Sequence, residues 1–447
     1  MSIRRDAMST FTVQMFTLLA GLVTSVVVAR TIGPEGKGLI SFLGYALFVA
    51  TNIAGLGLQP AAIQHLGKGR FPAATVAATQ LFLGLLAGAV CAAGLLFMLP
   101  LFKEQMQLTH WMLLLFLPVV ILALQRLNLS GVLIGIGRIE ANNRLQALTP
   151  AAWMVGAVVT LWALAGGPRE AAIAWMIAQT VAPLLTLVWI VRLVRPRWQS
   201  IAECARASLR FGAEAYLANL VWTILLRAGG LMLAYLNGAA AVGIYSIAIL
   251  MGETLWYLPR SLTVALNPRV AAGCQTDVMR LSLRAVRIAL WMVVAASLAL
   301  LLIGQPLIRL VFGEAFSASF RPLMLLLPGI VAGAIASPIA LYFTQYKGRP
   351  RVNAGVAALG LLVNLVLNVL WIPAYGASGA AGASTCAYLL VGGLMALQLK
   401  REPGFAWRAM FCLRREDVTA LREALRELLQ RPAPHAPEAN SRRRTRP

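Results

Sequence analysis

Two stretches of the 447-residue chain resemble each other: ARTIGPEGKGLIS at residues 29–41 and AYLNGAAAVGIYS at residues 234–246. At a shift of 205 positions they share Ala29/Ala234, Gly33/Gly238, Gly38/Gly243 and Ser41/Ser246. A second match follows at a shift of 209, where the shared residues are Trp162/Trp371, Ala165/Ala374, Gly167/Gly376, Ala171/Ala380, Ala172/Ala381 and Ala174/Ala383. Two matches in the same order and at nearly one shift indicate an internal duplication. In membrane proteins, duplication is typical of transporters.

The composition is that of a membrane protein. Hydrophobic residues make up 59% of the chain, charged residues 12%, and the mean hydropathy is +0.75. A soluble domain carries about 25% charged residues. In a soluble protein, a net charge of +23 would suggest a nucleic-acid partner. In a membrane protein we attribute this charge to the Lys and Arg residues that set orientation, and we expect no nucleic-acid partner. Five scattered cysteines and the lack of a Cys/His cluster predict neither a disulfide framework nor a metal site, and we expect no cofactor.

Twelve stretches are long and apolar enough to be spanning helices, each of which needs about 20 residues. They lie at residues 10–29, 39–64, 73–100, 111–134, 145–166, 171–191, 211–236, 240–266, 285–308, 322–345, 352–372 and 377–399. With the N-terminus in the cytoplasm, 30 of the 39 Lys and Arg residues fall on the cytoplasmic side and six on the outer side. The positive-inside rule therefore predicts an even number of spans with both termini cytoplasmic.

The shift of 205 covers six predicted spans, so both copies of the repeat point the same way. We expect an all-α protein of two parallel six-helix bundles, residues 1–200 and 201–400, related by a pseudo-twofold axis along the membrane normal. A central cleft can then lie between them. Residues 401–431 are predicted to form a cytoplasmic amphipathic helix, and residues 432–447 a basic, Pro-rich disordered tail.

Several segments resemble a known family. ARTIGPEGKGLISF and GLGLQPAAIQHLGKG are similar to the N-terminal signature of bacterial polysaccharide flippases, and GIYSIAILMGETLWYLPRSLTVALNPRVA to the start of their second half. FGEAFSASFRPLMLLLPG and NLVLNVLWIPAYGASGAAGAST resemble later segments of the same family. The family belongs to the multidrug/oligosaccharidyl-lipid/polysaccharide (MOP) exporter superfamily. The resemblance implies a MATE-like fold, location in the bacterial inner membrane, and transport of a polyprenyl-pyrophosphate-linked saccharide to the periplasmic leaflet by alternating access.

The glycine motif has two interpretations. Gly33, Pro34 and Gly38 in the first copy, with Gly238 and Gly243 in the second, favour tight turns at the outer face, because glycine adopts backbone angles that other residues avoid. A contact that gates the cleft is the alternative.

Ionisable residues inside spans are candidates for function, and we single out five: Arg126, Glu214, Arg227, Glu253 and Arg260. Arginine suits a pyrophosphate because it is always charged and offers a planar fork of donors. We expect the three arginines to form a cationic cavity, with Glu214 and Glu253 as coupling or salt-bridge residues. Structural ion pairs and side chains that extend to the membrane surface remain the alternatives.

Three other functions compete with saccharide transport. Cation-coupled drug efflux by the same superfamily would favour membrane carboxylates over arginines. A membrane glycosyltransferase or polymerase usually needs a sizeable outer loop or a DxD motif, and the chain has neither, so we expect a non-enzyme. A role as a non-transporting scaffold is the third alternative function. Besides the substrate and membrane lipid, a polysaccharide-assembly enzyme could bind the cytoplasmic tail, which contains the amphipathic helix.

Overall fold

The computed structural model of the chain describes residues 3–257, 259, 275–412 and 417, and its regular elements are all helical. Twelve α-helices are described: α1 Ile3–Ala54, α2 Leu58–Gly67, α3 Ala73–Met98, α4 His110–Gly135, α5 Ile139–Val158, α6 Pro168–Val194, α7 Ile201–Thr254, α8 Gln275–Phe312, α9 Phe320–Leu341, α10 Pro350–Tyr375, α11 Ala377–Lys400 and α12 Trp407–Phe411. Short 3₁₀ turns at Leu99–Phe102 and Glu314–Ser319, and π turns at Val159–Ala163 and Tyr342–Tyr346, extend their ends. Arg260 and most of the predicted tail helix, together with residues 432–447, lie outside the described residues.

Ten helical segments of the described chain are long and apolar enough to cross a membrane. Two of them, Thr12–Ala54 and Asn219–Thr254, contain 43 and 36 residues. At about 1.5 Å per residue, each is far longer than the roughly 30 Å of bilayer hydrocarbon. Each of the two also contains a sharp kink, so each makes two crossings and the described part of the chain makes twelve. The predicted all-helical membrane fold is confirmed.

The kinks fall on equivalent glycines of the two repeats. Gly33 has φ 63° and ψ −168°, and Gly238 has φ 76° and ψ −172°. This region of backbone space is essentially restricted to glycine, because a Cβ atom would collide with the backbone. The two glycines that the sequence repeats share therefore also have the same unusual backbone conformation.

The first kink reverses the direction of the chain. Near the start of α1, Thr10 accepts a hydrogen bond of 2.9 Å from Asn143, close to the beginning of α5. Beyond the kink, Gln59 in α2 donates to Ser130, close to the end of α4, at 2.7 Å. The end of α4 and the start of α5 adjoin each other in sequence, so α1 leaves this end of the bundle and returns to it. We call the end of the bundle that holds Gly33 and Gly238 the glycine end. The end where α4 meets α5 is called the opposite end.

The second kink reverses the chain in the same way. Arg227 and Glu253 lie on either side of Gly238, and their side chains form a salt bridge of 2.6 Å. In a straight helix, 26 residues would separate them by about 39 Å. The segments before and after Gly238 therefore lie side by side.

The exposed surface is apolar and part of the interior is polar, as expected for a protein surrounded by lipid. Leu302, Phe97 and Trp162 are 82%, 78% and 78% exposed, whereas Asn128 and Asn364 are fully buried. Polar side chains inside a membrane bundle join helices through hydrogen bonds.

Helices α2 to α6 pack mainly on one another and on α1, and helices α8 to α11 mainly on one another and on α7. The most extensive packing between these two groups is that of α1 on α7, the two kinked helices. The repeated motif therefore lies at the contact between the groups.

Candidate functional site

The two glycine motifs contact each other at the glycine end. Gly38 packs on the backbone of Ala239 so closely that a Cβ atom on Gly38 would overlap the Ala239 carbonyl oxygen. Gly243 packs in the same way on the carbonyl oxygen of Pro34. At the shift of 205 residues, Gly38 corresponds to Gly243 and Pro34 corresponds to Ala239. The two contacts are therefore related by the pseudo-twofold symmetry. We call this pair the reciprocal glycine contact.

Further bonds between the two halves surround this contact. Arg30, at the end of the first segment of α1, donates to the carbonyl oxygens of Leu310 and Val311, with a distance of 2.8 Å to Val311. The backbone N–H of Ala239 donates to the carbonyl oxygen of Gln105 at 3.2 Å. The halves are therefore closed against each other at the glycine end.

A second group of contacts joins the halves toward the opposite end. Asn219 of α7 donates to the side-chain oxygen of Asn52 on α1 at 3.1 Å, and the Tyr216 hydroxyl donates to the carbonyl of Ile53. Gly57 and Gly212 meet so closely that neither has room for a side chain. These contacts join the end of α1 and the turn that follows it to residues 212–219 of α7.

A cavity of about 400 Å³ lies between these two groups of contacts. Helices α1, α5 and α7 supply its lining residues, which are Gly21, Thr24, Ser25, Val28, Lys37, Ile40, Ser41, Gly44, Tyr45, Phe48, Trp153, Arg227, Ser246, Ile249, Leu250 and Glu253. Both kinked helices contribute residues from both sides of their kinks. The cavity therefore depends on the reversals at Gly33 and Gly238.

An ion pair forms one wall of this cavity. The guanidinium of Arg227 donates two hydrogen bonds to the carboxylate of Glu253, at 2.6 and 3.0 Å. It also lies over two rings of α1, 5.5 Å from the centroid of Tyr45 and 5.3 Å from that of Phe48. The pair uses two of the five N–H donors of the guanidinium. Donors remain for another acceptor, and the aromatic faces stabilise the cation.

Lys37 supplies a second cation, and sequence reasoning missed it as a site residue. The sequence predicts an outer turn at the glycine motif, which places Lys37 among the six Lys and Arg residues of the outer side. In the structure Lys37 follows the kink by one turn of helix and lines the cavity, and no hydrogen bond or ion pair joins it to another described residue. The three charged residues of the cavity, Lys37, Arg227 and Glu253, leave a formal charge of +1.

The structure brings together only some of the predicted charges. Arg227 and Glu253 line the cavity. Arg126 lies half-buried on α4 and lines neither this cavity nor the one described below. Only the backbone of Glu214 is described, in α7, thirteen residues and about 20 Å along the helix from Arg227.

Two of the asparagines on α10, Asn364 and Asn368, form a buried polar cluster. Asn368 donates to Asn364 at 2.8 Å, and Asn364 donates to Ser384 on α11 at 3.5 Å. The hydroxyl of Tyr245 lies 3.2 Å from the same serine. This cluster therefore joins α7, α10 and α11. Within the described ranges, no group of three or more His, Cys, Asp or Glu residues could hold a metal ion.

Comparison with known proteins defines the class. Residues 3–264 match the model of the polysaccharide biosynthesis protein family, and the chain belongs to this family. No protein of curated function matches the chain in sequence.

Solved structures have the same fold at low sequence identity. A multidrug resistance MATE family transporter of the MOP superfamily in an inward-facing conformation has a TM-score of 0.66 at 16% identity, covering 88% of this chain and 97% of its own. The lipid II flippase MurJ, in an inward closed conformation, has a TM-score of 0.67 at 13% identity, with 88% of each chain covered. The Vibrio cholerae MATE transporter VcmN in the bent form has a TM-score of 0.58 at 17% identity, covering 89% and 97%. The resemblance to flippases of the MOP superfamily, noted in the sequence, is confirmed at the level of family and fold.

Proposed function

We propose that the protein is a flippase, which moves a polyprenyl-pyrophosphate-linked saccharide from the cytoplasmic to the periplasmic leaflet for cell-surface polysaccharide synthesis. The observation that carries this proposal is the positively charged cavity between the two halves. Its lining contains the Arg227–Glu253 pair and Lys37, which has no hydrogen bond or ion pair to another described residue. Charged groups in a membrane are costly and mark sites of function. An anionic head group would supply the acceptor that Lys37 does not find among the described residues.

The substrate would exchange partners with the ion pair. A pyrophosphate beside Arg227 competes with Glu253 for the guanidinium, because both are acceptors of charge-assisted hydrogen bonds. Glu253 would then lose part of its partner and could take up a proton. Release of the substrate would restore the pair. Binding and a change of charge at Glu253 are thus linked through one arginine.

The orientation belongs to the same proposal. The Lys/Arg distribution supports cytoplasmic termini in the bacterial inner membrane, with the glycine end toward the periplasm. Contacts at the glycine end would then close the cavity on the periplasmic side. A lipid-linked saccharide would enter from the cytoplasmic leaflet and leave after the reciprocal glycine contact opens. The tail beyond residue 412 could bind an assembly enzyme in the cytoplasm.

Cation-coupled drug efflux is the second candidate, and Glu253 is the observation that favours it. A carboxylate in the cavity could bind a cationic drug or exchange it for a proton. In that case Lys37 would repel the substrate, since like charges in a medium of low dielectric constant oppose each other. The two functions therefore predict opposite effects for the loss of Lys37.

A proteoliposome assay separates them. The full chain is reconstituted, and the translocation of a polyprenyl-pyrophosphate-linked monosaccharide is compared with that of a cationic dye. We expect the wild type to move the lipid and Lys37→Met to slow it, with Lys68→Met as the control because Lys68 is an exposed lysine outside the cavity. Transport of the dye alone, faster in Lys37→Met, would contradict the flippase proposal.

A further inference from the structure

A second cavity, of about 300 Å³, lies within the second half of the chain. Residues of α7, α9, α10 and α11 line it, together with the turn that follows α7. Its volume is at the lower limit for pockets that hold small molecules, which measure about 300–1,000 Å³. The ion pair and Lys37 do not line it, so it is a separate compartment.

Two indoles line this cavity, Trp222 of α7 and Trp256 just beyond that helix. The Trp256 N–H donates to the carbonyl oxygen of Ile330 at 2.9 Å, and its ring packs on Tyr388 with 5.6 Å between centroids. Gly333 makes room for the ring, because a Cβ atom there would lie 2.6 Å from Cζ2 of Trp256. The indole is thus held in one orientation and presents a preformed face.

Amide groups accompany the indoles. Asn353 donates to the carbonyl oxygen of Ala340 at 3.0 Å, while its own side-chain oxygen is buried and has no hydrogen-bond partner among the described residues. Asn219 lines the cavity and also bonds Asn52 of the first half, so the cavity reaches the contact between the halves. A buried oxygen without a donor costs free energy, which a ligand hydroxyl would recover.

The second cavity adjoins the charged one. Trp222 precedes Arg227 by five residues on α7, about 8 Å along the helix axis. Trp256 follows Glu253, the partner of Arg227, by three residues. Both indoles therefore lie one to two helical turns from the ion pair, on the side away from the glycine end.

We propose that this second cavity binds the saccharide of the lipid-linked substrate while Lys37 and Arg227 bind its pyrophosphate. The apolar C–H face of a sugar ring stacks on an indole. The Asn353 oxygen is closed off from the cavity in this conformation, so the Asn353 side chain turns toward the ligand to accept a hydrogen bond from a sugar hydroxyl. A prenyl chain would fill the same volume but leave that oxygen unpaired, so the sugar is the better occupant. The inference rests on the proposed function, and it assigns sugar recognition to the second half alone.

Binding measurements on the purified full chain test this assignment. The probes are a bare polyprenyl pyrophosphate and the same lipid carrying glucose, galactose or N-acetylglucosamine. We expect at least one sugar to tighten binding to the wild type by about ten-fold. Trp222→Leu and Trp256→Leu should lose that gain and keep the affinity for the bare lipid. A second variant, Gly333→Ala, should displace the Trp256 ring and lose the gain too, whereas Gly355→Ala should not, because a Cβ atom on Gly355 has no neighbour within 4 Å.

Each other outcome has a definite meaning. If no sugar-bearing probe binds the wild type more tightly than the bare lipid, the saccharide assignment is overturned and the proposed function stands. If the tryptophan variants weaken all probes equally, the cavity holds the prenyl chain, and the assignment is again overturned. If the wild type binds none of the probes, the proposed function itself fails.

Discussion

The glycine motifs of the two halves are alike in structure, whereas the charges around them are not. Gly33 and Gly238 have φ values of 63° and 76° and nearly the same ψ, and both reverse the chain. Gly38 and Gly243 each pack on a carbonyl oxygen of the other half. The duplication has thus preserved the backbone that creates the fold and the contact between the halves.

The charged residues of the cavity do not follow this symmetry. At the same shift of 205, the equivalents of Lys37, Arg227 and Glu253 are the uncharged residues Val242, Leu22 and Phe48. Phe48 is in fact the ring on which Arg227 packs. The comparison teaches that the repeated residues define the scaffold, and we propose that the residues that differ between the repeats define what the cavity binds.

The largest effect is expected at Arg227. Arg227→Met should reduce flipping by about 100-fold or more, because it removes a substrate donor and leaves Glu253 unpaired in the membrane. Glu253→Gln should keep substantial binding of the anionic lipid, since both cations remain. Proteoliposome flipping and lipid binding are the measurements. If the pair is purely structural, both variants would instead lose binding and the double variant would regain it.

The reciprocal glycine contact is expected to give the next largest effect. Gly38→Ala and Gly243→Ala each place a methyl group against a carbonyl oxygen, so each should weaken closure at the glycine end. In a background without native cysteines, we expect a cysteine at Ser246, in the cavity wall, to react about ten-fold faster with a membrane-impermeant maleimide added on the glycine side. Gly94→Ala is the matched control, because its Cβ atom would have no neighbour within 4 Å. If only one of the two variants increases the maleimide reactivity, the two halves of the contact do not contribute equally to closure.

The kinks should respond equally to substitution. Gly33→Ala and Gly238→Ala force alanine into a backbone region that is nearly exclusive to glycine, at a cost of about 1–3 kcal/mol each. Unfolding titrations in mixed micelles would measure the free energy of unfolding. Gly21→Ala, in a regular part of α1 with open space around the new methyl, should be close to neutral or stabilising. A lower free energy of unfolding in only one of the two variants would contradict the structural equivalence of the two kinks.

Lys37 is expected to give the smallest of these effects. Lys37→Met should weaken binding of a polyprenyl pyrophosphate by about ten-fold, because one of the two cations is lost. Lys37→Arg should retain most of the affinity, and the exposed control Lys68→Met all of it. An unchanged affinity in Lys37→Met would mean that Arg227 alone recognises the anion.

Much of the fold could be predicted from the sequence, because hydropathy and the glycine repeat report directly on spans and turns. Gly33 is an example: its spacing to Gly238 predicted a repeated turn, and both residues have the unusual backbone angles. The contact between the two motifs could not be predicted from spacing, since it depends on how two distant helices pack. The tight turn and a packing contact between the two motifs occur together in the structure, and gating by that contact stays a prediction.

The site was less predictable than the fold. Arg227 and Glu253 stood out as charges inside spans, and they do meet in the cavity. Arg126 looked equivalent in sequence, yet it lies on α4 away from the cavity, because hydropathy does not reveal which face of a helix points inward. Lys37 was overlooked because it sits in a motif that resembles a surface turn. Only the kink at Gly33 turns its helix so that the lysine lines the cavity.

The most direct test of the account is the preference of the cavity for a pyrophosphate. The affinities of a polyprenyl pyrophosphate and the polyprenol of the same chain length would be compared in the wild type and in the double variant Lys37→Met/Arg227→Met. We predict that the wild type prefers the pyrophosphate by about 100-fold and that the double variant has no preference. A wild type without preference, or a double variant that keeps it, would contradict the conclusion that these two cations define the substrate.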